Sequence, residues 1–142
     1  MTINKRFSSI FSAFIIIALM LAAVPATPVY AAGIIVNTAT DEDLANTNCS
    51  LREAIIAANT NAAYNGCSTG SGADTITFAA NYTITLVGSQ LPAVTTPIII
   101  TGKGAANTII QAHAAPNVAT YRIFEVSTGG DLTLDGLTVQ NG

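Results

Sequence analysis

Cys49-Ser50-Leu51-Arg52-Glu53-Ala54-Ile55-Ile56-Ala57-Ala58-Asn59 is written like the start of a helix. Ser50 is placed to cap the first turn, and Glu53, three residues on, is placed to bond back to the Ser50 amide. Leu51, Ala54, Ile55 and Ala58 then fall at i, i+3, i+4 and i+7, a single apolar stripe. The pattern predicts a short amphipathic helix over ~51–59, laid on an apolar surface. Arg52 and Glu53 are neighbours in sequence and so point to different sides of the helix. Glu53 is best used in the cap and Arg52 in a salt bridge or in carbonyl contacts.

Before this run lies an acidic stretch, Asp41-Glu42-Asp43, with Asn46 and Asn48 close by. Clustered oxygen ligands of this kind suit calcium on an exported protein. The EF-hand spacing is absent, with no Gly at the sixth position and no Glu at the twelfth. The favoured reading of the same residues is a solvated acidic loop near the positive end of the helix dipole. Further back, Gly33-Ile34-Ile35-Val36-Asn37-Thr38 predicts a first strand. Residues 1–32 have the layout of a signal peptide. Lys5 and Arg6 are followed by an apolar run over 10–23 that is short for a bilayer span, then Pro25, Pro28 and small residues up to Ala31 and Ala32. Export to the cell surface or the medium follows, with no membrane span in the mature chain.

The chain after residue 32 carries three basic residues (Arg52, Lys103, Arg122) against eight acidic ones, a formal charge of −5. Nucleic acid and anionic membranes require a basic patch, so neither is expected as a partner. Cys49 and Cys67 are the two cysteines. In an exported chain such a pair reads as a disulfide, closing a loop of ~18 residues worth roughly 3 kcal/mol. Two free thiols or half a metal site are the alternatives, the latter needing more ligands.

Past the helix, residues 59–74 are rich in Asn, Gly, Ser and Ala and read as loop. From Asp74 onward short strands are expected around Ile76/Phe78, Ile84/Leu86, 97–101, 108–110, 122–126, 131–134 and 137–139, with apolar residues alternating with threonine. Thr83-Ile84, Thr108-Ile109 and Thr133-Leu134 recur at a spacing of 25 residues, as do Ile99/Phe124 and Gly104/Gly129. A period of this size in short β units signals a solenoid. The expectation is an all-β solenoid, a right-handed parallel β-helix. Residues 33–73 would form its N-terminal strand, acidic loop and capping helix, and residues 74–142 its first coils. Ending at Leu137-Thr138-Val139-Gln140-Asn141-Gly142, those coils read as truncated, the front of a longer protein. A bare β edge there invites self-association.

The segment Cys49–Asn59 resembles the signature of the bacterial CSLREA domain. Around it, Val36-Asn37-Thr38, Asp41-Glu42-Asp43, Cys67, residues 72–78, residues 100–105, residues 122–126 and residues 134–142 are similar to the rest of that family's pattern. The resemblance covers ~33–142. It implies a secreted or surface β-helix protein whose family is defined by architecture, with no common enzymatic activity.

The remaining chemistry-bearing residues read as structural. Gly102-Lys103-Gly104-Ala105-Ala106-Asn107 approaches a dinucleotide fingerprint, but a strand-like Thr108-Ile109-Ile110 follows where a helix is required; a tight turn is expected. His113 is the single histidine, set among Ala and Pro in a loop. Asp131 and Asp135 raise the question of glycosidic chemistry, yet they fit turn positions as well. Thr75, Thr77, Thr83, Thr85, Thr133 and Thr138 form hydroxylated faces able to meet carbohydrate, though exposed strands favour Thr in any case. No catalytic residues and no cofactor, calcium apart, are expected. The reading is an extracellular structural or adhesive protein, meeting carbohydrate or a cell-surface polymer. The alternatives are the front of a polysaccharide lyase or hydrolase with its site downstream of residue 142, or a stand-alone glycan-binding module.

Overall fold

The computed structural model describes residues 33–142, and the signal segment expected at 1–32 lies outside the described residues. The elements run β1 (Gly33–Val36), α1 (Leu51–Thr60), β2 (Asp74–Phe78), β3 (Tyr82–Thr85), β4 (Pro97–Thr101), β5 (Thr108–Gln111), β6 (Asp131–Asp135) and β7 (Thr138–Gln140). The alternation of apolar and hydroxylated residues does what period two dictates. In β1, Ile34 and Val36 are buried and Ile35 is exposed; in β2, Asp74, Ile76 and Phe78 are buried between half-buried threonines.

Strands β1-β2-β4-β6 form one sheet and β3-β5-β7 another, every neighbouring pair parallel. Parallel neighbours cannot be joined by a hairpin and need a crossover. Between β1 and β2 that crossover is α1, which packs on both strands. The register stacks Ile34, Ile76, Ile100 and Leu134 in one column, and Ile84, Ile110 and Val139 in the other sheet. All of these but Leu134 and Val139 are fully buried, and they form one core with Leu51, Ala54, Ile55, Ala57 and Ala58 of the helix.

The expected all-β right-handed parallel β-helix is therefore corrected. Among the described residues the chain is a small α/β fold of two separate parallel sheets, with four and three strands, and one helix; it is not a closed solenoid. The apparent 25-residue period does not survive the register. Thr83 pairs with Ile109, not Thr108, and Thr133 belongs to the other sheet, opposite Ile99. The physical reason is that the connections are unequal. One holds a helix and a disulfide loop, one is a short glycine turn, and one is the long irregular segment 112–130. Residues 122–126, expected as a strand, form none: they carry one isolated bridge, Val94 with Val126, with Leu91 N–H on the Ile123 carbonyl, Gln90 Nε2 on Glu125 Oε2 and Ile123 buried in the core.

The glycine run at 102–104 is the tight turn expected. A side chain at Gly102 would run into the Gly136 carbonyl of the turn stacked on it, whose Gly136 has φ +60°. The Gly102 and Gly104 amides donate to the carbonyls of Asp135 and Gly136, each at 2.8 Å. Lys103 donates its backbone N–H to Thr108 Oγ1 rather than facing a phosphate cradle.

Candidate functional site

Polar side chains converge most densely at the start of α1. Ser50 is extended (φ −76°, ψ 165°) and its hydroxyl accepts from the Glu53 amide, while Glu53 Oε2 accepts from the Ser50 amide at 2.9 Å. The capping box read from Ser50 and Glu53 is complete. Glu53 does more than cap. Its Oε1 also accepts from the Leu44 amide at 2.9 Å and from Asn65 Nδ2 at 2.8 Å, and the residue is fully buried. Burial alone would push this carboxyl up. The hydrogen bonds from the Ser50 and Leu44 amides, from Asn65 and from the Ser50 side chain outweigh it and hold the group below its ordinary value.

Arg52 points to the other side, as adjacent helical residues must. Its Nε and Nη2 form a bidentate pair with Asp41, both contacts at 2.8 Å, and Nη1 donates to the Gln90 carbonyl at 2.9 Å. Asp41 also accepts from the Val87 amide at 2.8 Å. Its side chain is 1% exposed, so the pair is desolvated and geometrically fixed. Arg52 thus ties the acidic loop and residues 87–90 to the helix.

The three acidic residues of that loop face three separate sets of partners. Asp41 goes to Arg52, Glu42 Oε1 accepts from Asn46 and Asn48, and Asp43 Oδ1 accepts from the Tyr64 hydroxyl and from Asn65. The bond to Asp43 pushes the Tyr64 phenol up. Among the described residues no three His, Cys, Asp or Glu side chains gather as a metal-binding group.

Cys49 and Cys67 are joined in a disulfide with Cα atoms 4.7 Å apart, fastening the segment after the helix to the residue before its cap. Asparagines complete the fastening. Asn37 Oδ1 accepts from the Cys49 amide at 2.7 Å, and Asn59 spans from the Ala93 carbonyl to the Thr95 amide. Sequence reasoning missed Asn37, Asn59 and Asn65, because an asparagine's partner lies far along the chain; the Asn65-Gly66 dipeptide, a turn signal, was the one local clue.

At the other end, each sheet finishes on an edge strand, β6 and β7, joined through Gly136-Leu137. Leu134 and Val139 stand 40% and 42% exposed. An open cleft of about 480 Å³ lies here, lined by Arg122, Ile123, Phe124, Val139, Gln140, Asn141 and Gly142. Across the second sheet, Gln140 Nε2 donates to Gln111 Oε1 and Gln111 Nε2 to Thr85 Oγ1, both at 2.8 Å. Asp131 and Asp135 are the first and last residues of β6, and both are exposed. His113 is an exposed loop residue whose Nδ1 accepts from the Ala115 amide. No helix among the described residues is long and apolar enough to cross a membrane. The chain matches no family model, no curated protein and no solved structure.

Proposed function

We propose that this chain serves a structural, adhesive role in an exported protein, with the α1 end fastened and the β6–β7 face carrying exposed apolar groups. The observation carrying this reading is the contrast between the two ends. At the first, Glu53, Arg52 and the disulfide leave few groups unsatisfied. At the second, two edge strands lie side by side with exposed Leu134 and Val139. A parallel edge with apolar side chains accepts a further strand, whether from a later part of the same protein or from a partner. The signal-like residues 1–32, the disulfide and the likeness of Cys49–Asn59 to the CSLREA signature all support an extracellular setting.

The partner is a second extended chain or a cell-surface carbohydrate. Phe124 with the amides of Gln140 and Asn141 gives the cleft both an apolar surface and hydrogen-bonding groups for a sugar. Sedimentation velocity over a concentration series, with and without oligosaccharides, tests the reading. Association or sugar binding that Leu134→Lys and Val139→Lys abolish supports it. A monomer at all concentrations that binds none of a broad glycan array overturns it.

A further inference from the structure

Asn65 and Gly66 form the two-residue reversal between Tyr64 and Cys67, whose backbones exchange hydrogen bonds. Asn65 adopts φ +48°, and a side chain on Gly66 would run into the Asn48 carbonyl. The exposed Asn65 side chain sits between two carboxylates, donating from Nδ2 to Asp43 Oδ1 at 3.1 Å and to buried Glu53 Oε1 at 2.8 Å. The Tyr64 hydroxyl shares the same Asp43 oxygen. One neutral amide therefore holds two acidic groups together beside the disulfide.

An asparagine before glycine has a chemistry of its own. The Gly66 nitrogen, unshielded by a side chain, attacks Asn65 Cγ. A carbon–nitrogen bond closes a five-membered imide and ammonia leaves from Cγ. Water then opens the ring at either carbonyl, giving aspartate or isoaspartate. No oxidant or reductant takes part. In the folded chain the carboxamide is fixed on Asp43 and Glu53 and the backbone by the Tyr64–Cys67 bridge, so ring closure requires both to release. The Cys49–Cys67 disulfide anchors that bridge.

We propose that Asn65 is a deamidation site gated by the Cys49–Cys67 disulfide, and that its conversion unlatches the start of α1. Conversion replaces a donor by a carboxylate facing Asp43 and Glu53, turning two attractions into repulsions. Asn141-Gly142 supplies an internal reference. Its Nδ2 donates to a neutral acceptor, the His113 carbonyl, at 2.9 Å.

The test incubates the full chain at mildly alkaline pH, oxidised or with the disulfide reduced and alkylated, and maps deamidation by peptide mass. Conversion at Asn65 is expected to rise at least about tenfold on reduction, the order set by losing hydrogen bonds to charged groups, with Asn141 little changed. Equal rates at Asn65 in the two states, no conversion there, or an equal rise at both asparagines would overturn the gating. Separately, Asn65→Asp in the oxidised chain is expected to speed amide exchange over residues 42–53 relative to Asn65→Gln. Unchanged exchange in Asn65→Asp would overturn the unlatching.

Discussion

Glu53 is a carboxyl group that burial pushes up and that hydrogen bonds from the Ser50 and Leu44 amides, Asn65 and the Ser50 side chain bring below its ordinary value. Its folded-state affinity for a proton is lowered. The stabilisation it gives is therefore complete above the unfolded-chain value and lost as pH falls through the folded one. Urea unfolding at a series of pH values should show stability dropping on acidification below about 4.3, the ordinary glutamate value. Glu53→Gln should flatten that dependence and cost about 2 kcal/mol at neutral pH, since an amide opposes the Ser50 and Leu44 donors with fewer acceptors. Arg52 behaves differently because its loss strands a partner. Arg52→Met leaves buried Asp41 with the Val87 amide alone, and a loss of about 3 kcal/mol is expected from chemical denaturation. Arg52→Lys should recover part of this, keeping the charge without the two-pronged geometry.

At the scale of elements, α1 owes its position to sequence features that are local and legible. The Ser50–Glu53 box starts it, the 51/54/55/58 stripe buries it, and Asn61 in the left-handed region (φ 49°) ends it. Strand identities were legible for the same reason: period two leaves its mark within five residues, and 97–101 is a strand with those very limits. Register was not legible. Thr83, Thr108 and Thr133 look equivalent in sequence, yet pairing depends on loop lengths and on which face each loop delivers, and these place Thr133 in the other sheet. Residues 122–126 have a strand's composition but lie next to irregular segments that offer only one bridging partner. At the site, Ser50, Glu53 and the disulfide were readable from short spacings, whereas Asn59 reaches partners 34 and 36 residues away. Close approach can be tested at Gly70, where a side chain would press on the Ala57 carbonyl, at 2.6 Å, and on Asp74 Oδ2. Gly70→Ala is expected to lower stability by about 2 kcal/mol by overpacking, read as a shift in the urea midpoint. Reducing Cys49–Cys67 should cost about 3 kcal/mol. Exchange should speed up first over residues 42–68, while β4 and β5 stay protected.

Among the described residues, the two sheets share one core, with a helix and a polar clamp beside β1 and the edge strands β6 and β7 farthest from them in strand order. The excess of acidic over basic residues adds long-range repulsion between copies, so association through β6 and β7 should strengthen as salt screens it. The most direct test is peptide-level amide hydrogen exchange on the oxidised chain at low and high protein concentration. The expected result is slow exchange in α1, β2, β4 and β5 at both concentrations, with β6 and β7 fast when dilute and slowed when concentrated or when a bound oligosaccharide covers them. If β6 and β7 exchange alike at both concentrations and with every oligosaccharide offered, the β6–β7 face has no partner role and the adhesive reading is contradicted.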